Sequence, residues 1–329
     1  QEKGYSNEAM YTTLYYKFHG GDVESFKTRS KKEVESADET TRIKWIAYSH
    51  QFFSTILIAD EAFSGANMSQ HRFNDPGKYV RFYSSSIGIP LERSPEQTFG
   101  MRLYLGPNRF TSLKSYEGLG LENVVTVGGS MIRWINAYVV IPIFNWLNNS
   151  ITNYGIIILL LTLIIKVALF PLTYRSYKSQ AVMRVLKPQV DEINDKFPKK
   201  EDAMKKQQAT MDLYKKAGAN PMGGCLPMLL QFPILYAMFR FFPTSIELRQ
   251  ESFLWAHDLS TYDSILDLPF TIPMYGDHVS LFTLLMTVTT MLSMKWNNQA
   301  SVSSSAMPGM KTMMYIMPLM FMLILNNFS

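Results

Sequence analysis

The sequence predicts a multi-domain membrane protein: a β-sandwich domain over residues 1–130, then an α-helical transmembrane bundle with a cytoplasmic helical hairpin. Three observations carry this. Residues 1–150 hold 16 Lys/Arg and 15 Asp/Glu, as a water-soluble domain does. Residues 151–329 hold 16 and 12, in blocks separated by long apolar runs. Turn formers recur at strand spacing in the first part, whereas the apolar runs of the second have helix length. The 329 residues are 47% hydrophobic and 18% charged, which excludes a disordered, collagen-like or disulfide-dense chain. Cys225 is the single cysteine, so no internal disulfide forms. The chain lacks an initiator Met and stops just past an apolar run, at Asn326-Asn327-Phe328-Ser329; a fragment of a longer protein is expected.

In residues 1–130, β-branched and aromatic residues alternate with polar ones over Tyr11–Phe18, Ile43–Ile58, Lys78–Ile89 and Thr98–Leu105. Gly20-Gly21, Asn74-Asp75-Pro76-Gly77 and Gly106-Pro107-Asn108 supply turns, and many short strands at this spacing read as a sandwich. In residues 131–150, Ile132, Ile135, Val139, Ile143 and Trp146 recur at helical spacing. Arg133, Asn136 and Asn145 make this stretch too polar to span, and Pro142 breaks its middle. Its Trp and Tyr residues suit the headgroup region, so an interfacial helix is expected.

The membrane part is 151–329, with spans at about 154–172, 225–242, 279–294 and 312–325. Between the first two lies the polar stretch 173–222. Val182, Val185, Leu186, Ile193 and Phe197 stripe one helix there, and Met204, Met211 and Tyr214 another. Phe197-Pro198-Lys199-Lys200 turns between them. Residues 173–222 carry 11 Lys/Arg against 6 acids, residues 243–278 one Arg, Arg249, against 6 acids, and residues 295–312 Lys295 and Lys311 with none. The positive-inside rule then places the hairpin and the 295–312 loop in the cytoplasm, and the 243–278 loop and the β domain outside, in the periplasm of a two-membrane bacterium.

Lys166 falls about 18 Å along the first span from Tyr154, at 1.5 Å per residue. A mid-membrane Lys costs about 2.5–3.5 kcal/mol on insertion scales. No acidic partner occurs in the four spans. The ammonium therefore snorkels to the headgroups, lies in a wet cavity, or meets its counter-ion on a ligand. Thr162, four residues earlier, shares its helical face. Gln231 is an isolated polar group among Leu229, Leu230, Phe232 and Ile234, consistent with a groove wall or with an interhelical hydrogen bond. Ten of the 21 Met lie between Met286 and Met322, which fits either an adaptable apolar surface or plain packing. The basic 173–222 region fits anionic lipid or an acidic or RNA-rich partner. The five His show no metal spacing, and no phosphate loop or nucleophile motif appears. No enzyme, no cofactor, no metal and no sequence-specific nucleic-acid binding are expected.

NPMGGCLPMLLQFPI at Asn220–Ile234, SIELRQ at Ser245–Gln250, FLWAHDLS at Phe253–Ser260 and TLIIKVALFPLTYRSYKSQAVMRVLKPQV at Thr162–Val190 resemble the YidC family of membrane protein insertases. TFGMRLYLGPNRF at Thr98–Phe110 resembles the end of the large periplasmic domain of its Gram-negative members. The resemblance implies a β-supersandwich for 1–130, here incomplete at its N-terminus, and five conserved spans, the last absent here. It also implies a hydrophilic groove open to cytoplasm and lipid and closed outside. Lys166 holds the place of the family's groove cation, where relatives carry Arg, and Thr162 and Gln231 match polar groove positions. The implied function is insertion and folding of inner-membrane proteins, alone or with the Sec translocon. The implied partners are nascent membrane proteins, the ribosome at the cytoplasmic loops, the translocon and the lipid bilayer. Two other readings stand beside it. A secondary transporter would show inverted repeats and paired intramembrane acids. A membrane-anchored structural or carbohydrate-binding periplasmic protein would carry its function in 1–130.

Overall fold

The computed structural model describes residues 8–27, 32–73, 79–91, 96–197, 202–218, 226–273, 275–298 and 310–326. The Asn74–Gly77 turn, Pro198-Lys199-Lys200, Asn220 to Cys225 and most of the 295–312 loop lie outside the described residues. The chain divides into two compact units, residues 1–133 with 239–251, and residues 134–238 with 252–329.

The first unit is sheet-rich. Its strands are β1 (Thr13–Phe18), β2 (Val23–Ser25), β3 (Val34–Glu39), β4 (Ile43–Ser49), β5 (Phe53–Phe63), β6 (Gly65–Arg72), β7 (Arg81–Gly88) and β8 (Met101–Pro107). They form an antiparallel five-stranded sheet in the order β2-β1-β4-β5-β8 and a three-stranded sheet in the order β3-β6-β7. The single run expected at Ile43–Ile58 is two strands. The chain reverses at His50, whose N–H bonds the Phe53 carbonyl at 2.9 Å, and Ser49 pairs with Ser54. β3 (VESADE) and β6 (GANMSQHR) lack the apolar alternation that marks a strand in sequence. Their pairing along the ladder makes them strands.

Register divides the core. Trp45 pairs with Ile58, so both face one side of the larger sheet; Ile46 pairs with Leu57 and faces the other. Trp45, Ile56 and Ile58 pack against Leu121, Val124 and against Leu113 of α1 (Phe110–Lys114). The indole N–H of Trp45 donates to the Leu119 carbonyl at 2.8 Å. Leu14, Ile46 and Ala59 share the opposite core with Ala66 and Met68 of the smaller sheet. The segment 239–251 belongs to this unit. Gln51 Nε2 donates to the Pro243 carbonyl at 2.8 Å, and Arg109 pairs with Glu247 at 2.9 Å. The Arg249 guanidinium lies 5.5 and 5.6 Å from the ring centres of Phe52 and Phe53.

The helical region opens with α2 (Ser130–Ile135), a π turn at Asn136–Val140, and α3 (Ile141–Asn148). Within it Ile132, Asn136, Val140, Ile141, Phe144 and Leu147 are buried, whereas Trp134, Tyr138 and Trp146 are exposed. The expected stripe through Ile135, Val139, Ile143 and Trp146 is not the buried one: Asn136, Val140, Phe144 and Leu147 take the inward places, and a π turn at Asn136–Val140 shifts the register of the residues that follow. Pro142 does not end the helix, whose backbone stays helical through Val140 and Ile141; the irregularity is the π turn just before it.

Next comes α4, 32 residues from Tyr154 to Val185, opened by Asn153, whose side chain accepts from the Ile156 N–H at 3.1 Å. The helix does not end at Leu172, where the apolar run stops. Backbone hydrogen bonding continues past Pro171 into the polar residues, which are adequate helix formers. The break comes at Leu186, just before Pro188. Then follow α5 (Lys187–Lys196) and α6 (Ala203–Lys216). Leu186, Val190 and Tyr214 form a small core with Val182, Met183 and Leu213. Of the stripes expected here, Val185, Met204 and Met211 are exposed, and Val190 takes the inward place.

The remaining elements are α7 (Leu226–Phe241), a hairpin of β9 (Leu266–Ile272) and β10 (Gly276–Val279), α8 (Leu281–Asn298) and α9 (Met310–Leu325). Among the described residues α4 is long and apolar enough to cross a membrane, and α8 and α9 contain shorter apolar stretches.

Candidate functional site

Three longitudinal faces organise α4. Ile157, Leu161 and Ile165 are buried one helical turn apart. Leu159, Leu163, Val167, Phe170 and Tyr174 form an exposed apolar and aromatic face. Thr162 and Lys166 follow Leu161 and Ile165 directly, so they lie along one flank of the buried stripe, a turn apart. Lys166 is exposed and, among the described residues, has no hydrogen bond or ion pair. The Thr162 hydroxyl donates to the Ile158 carbonyl at 2.8 Å. Its proton is thus committed to its own helix, and its lone pairs remain as acceptors. This flank offers a cation beside an acceptor, a pairing suited to carboxylates or amides of an extended segment.

Gln231 lies half-buried on α7, two residues before Pro233. Proline has no N–H, so the Leu229 carbonyl lacks its helical donor and adds a second acceptor to that stretch. No hydrogen bond joins Gln231 to Lys166 or Thr162 among the described residues. The structure brings Thr162 and Lys166 onto one flank and leaves Gln231 on a separate helix.

Sequence reasoning missed two sets of polar residues. On α8, Thr283 and Thr287 are buried a turn apart, with the Thr287 hydroxyl on the Thr283 carbonyl at 2.8 Å. The spacing rule that picked out Thr162 would have found them. The second set surrounds Asp263, Ser280 and Asn326, all buried. Asp263 was counted with the loop charges, yet its carboxylate accepts from the backbone N–H groups of Leu281 and Phe282 at 2.9 and 3.1 Å, from the Trp255 indole at 2.9 Å, and from the Ser280 hydroxyl. A carboxylate at a helix N-terminus is stabilised by the exposed N–H groups and by the helix dipole. Nothing in the spacing of these three residues announces that they meet.

The described residues thus comprise a sheet-rich unit and a helical region in which α4 is long and apolar enough to cross a membrane, with Lys166 exposed on its flank. Residues 146–329 match the family described as 60Kd inner membrane protein, and residues 2–141 match the YidC periplasmic domain. The chain belongs to the YidC family, inner-membrane proteins with a periplasmic domain. Among its relatives, membrane protein insertase YidC of Parabacteroides distasonis is 47% identical over 341 residues, covering 100% of this chain and 53% of that protein. The homologues of Bacteroides fragilis and Porphyromonas gingivalis are 46% and 40% identical, each covering 99% of this chain and 54% of the relative. The chain thus spans about half the length of the curated relatives it matches. A solved structure titled active YidC insertase with the first transmembrane domain resolved is 17% identical, with a TM-score of 0.38, covering 96% of this chain and 81% of that one.

Proposed function

We propose that this chain carries the groove of a membrane protein insertase and chaperone that inserts and folds inner-membrane proteins, alone or with the Sec translocon. One observation carries the reading: Lys166, an exposed cation without a partner, on the flank of the single long apolar helix among the described residues. A charge so placed in a membrane is costly unless water or a ligand's acid compensates it. In this reading α4, α7, α8 and α9 are spans and Lys166, Thr162 and Gln231 line a hydrated groove. Residues 173–222 form a cytoplasmic helical hairpin, the sheet-rich unit is a periplasmic supersandwich, and 131–150 lies at the interface. The exposed Trp134, Tyr138 and Trp146 support that last assignment. The cytoplasmic loops meet the ribosome.

The mechanism needs no nucleotide. The groove shortens the apolar path that a hydrophilic segment must cross, and Lys166 transiently holds its acids. The apolar segment then slides along the outer face of α4 into lipid. About 20 apolar residues leaving water, at about 0.8 kcal/mol per buried methylene, outweigh one ion pair of about 4 kcal/mol at an effective dielectric of 20. The charge therefore governs rate and substrate choice more than the final equilibrium. Lys in place of Arg keeps the charge but gives up the planar two-pronged contact with carboxylates.

The test places photo-crosslinkers at Thr162, at Gln231 and at the lipid-facing Leu159 in the complete protein, facing ribosome-bound nascent chains of a single-span protein. Adducts at Thr162 and Gln231 before Leu159 support the groove. Adducts at Leu159 alone would assign these polar side chains to internal packing.

A further inference from the structure

Asn326, at the C-terminal end of α9, is fully buried and makes three side-chain hydrogen bonds. Its Oδ1 accepts from the Ser280 N–H at 3.0 Å, and its Nδ2 donates to the carbonyls of Tyr275 and His278 at 2.9 and 2.7 Å. Ser280 is the residue before α8, and its hydroxyl both accepts from the Thr283 N–H at 3.1 Å and donates to Asp263. Asp263 holds the first N–H groups of α8. One bonded chain therefore runs from the end of α9, through the strand entering α8, to the start of α8 and a carboxylate 17 residues upstream. The rings of Trp255 and Phe282, 4.5 Å apart, close over it. At the far end of the same 252–280 segment, Phe253 lies on the first turn of α4, where a Cβ at Gly155 would come within 2.1 Å of its ring.

Polar groups this deeply buried make a joint that opens all at once. Breaking any member leaves backbone N–H and C=O groups with neither protein nor water. The 243–278 loop is the acidic one, so in the insertase reading this joint lies at the outer end of the helices. We propose that Asp263, Ser280 and Asn326 form a polar latch that pins α8 to α9 at their outer ends. The latch seals the groove outside and leaves separation of the two helices to their cytoplasmic ends. Thr283 and Thr287, buried directly below on α8, are the first groups an outer opening would wet. The role assigned to the latch rests on the insertase reading; its geometry does not.

The experiment uses the complete protein in right-side-out membrane vesicles, with Thr287→Cys as reporter, Cys225 replaced by Ser, and a membrane-impermeant maleimide added outside. With the latch intact, labelling is slow. Asn326→Ala raises the labelling rate at least tenfold, and Asn326→Asp does the same, because it turns an oxygen toward the Tyr275 and His278 carbonyls. Ser280→Ala keeps the backbone bond to Asn326 and removes only the hydroxyl; it gives a smaller rise. Labelling unchanged in a folded Asn326→Ala or Asn326→Asp protein overturns the latch. If both variants fail to fold, Ser280→Ala decides by the same readout. Insertion of a single-span substrate is followed in parallel. If the latch-intact protein inserts nothing, the insertase reading falls while labelling still judges the latch.

Discussion

Gly155→Ala sets helix propensity against packing. The residue lies in the first turn of α4, after the Asn153 cap, where alanine is favoured over glycine by about 1 kcal/mol. Propensity alone thus predicts a more stable protein. The structure predicts the reverse. A Cβ at 155 would stand 2.1 Å from Cγ and Cδ2 of Phe253 and 2.7 Å from its Cβ. Turning the ring relieves the first two contacts but not the third, because Cβ does not move with χ1. Phe253 cannot easily retreat, since its N–H and C=O are bonded to Ala256 at 2.9 and 3.0 Å. Either the 252–256 loop or the start of α4 must shift by about 1 Å, and overpacking of this kind costs about 1–3 kcal/mol. Subtracting the propensity gain of about 1 kcal/mol leaves a net loss of up to about 2 kcal/mol. Thermal unfolding in detergent, followed by tryptophan emission, measures it. Adding Phe253→Gly removes the obstructing Cβ and recovers more than half of the coupling in a double-mutant cycle. A Gly155→Ala protein melting at or above the parent would refute the packing argument. The same variant slows insertion, because a displaced first turn carries along the helix to Lys166.

Three further outcomes follow from particular residues. Among the described residues the buried Tyr83 hydroxyl has no hydrogen-bond partner, so Tyr83→Phe stabilises the sheet-rich unit by about 1 kcal/mol in chemical denaturation, and a loss would point to a partner for that hydroxyl. Burial also raises the ionisation of the Tyr15 and Tyr83 phenols above the ordinary value of 10.0. Below pH 10 both are protonated in the folded and the unfolded chain, and stability is unaffected by them. Above it the unfolded chain releases protons that the fold retains, so stability falls by up to about 1.4 kcal/mol per group per pH unit. Melting curves from pH 9 to 11 show this, with a shallower slope in Tyr83→Phe. Lys166→Ala slows insertion of substrates with acidic tails by about 10–100-fold, the equivalent of one charged hydrogen bond of about 1.5–3 kcal/mol. Lys166→Arg restores it, and an equally large loss with Arg would remove the electrostatic role.

Much of the architecture was readable from local pattern. Alternation and turn formers marked β1, β7 and β8 and a single run where β4 and β5 stand, and apolar runs fell on α4, α7, α8 and α9, because these signals lie in neighbouring residues. β3 and β6 were not readable: too few apolar residues mark their period, and cross-strand pairing along the ladder makes them strands. The π turn at Asn136–Val140 was equally hidden, and it shifts the register of the residues after it, Trp146 included. The candidate site divides in the same way. Lys166 and Thr162 stand a helical turn apart, so their common flank follows from the sequence and helix geometry together. Whether each polar group is free does not follow: the Thr162 proton is spent on Ile158, and Lys166 has no partner among the described residues.

What the sequence determined by itself is thus whatever depends on a few neighbouring residues: a sheet-rich first part and a helical, apolar second part, the faces of α4, and a cation among apolar side chains. Tertiary structure decided what depends on distant residues meeting. Asp263, Ser280 and Asn326 are 17 and 46 positions apart in sequence order, and no period or motif relates them. Chain folding alone brings a carboxylate, a hydroxyl and an amide within hydrogen-bond reach, and burial then makes each indispensable to the others.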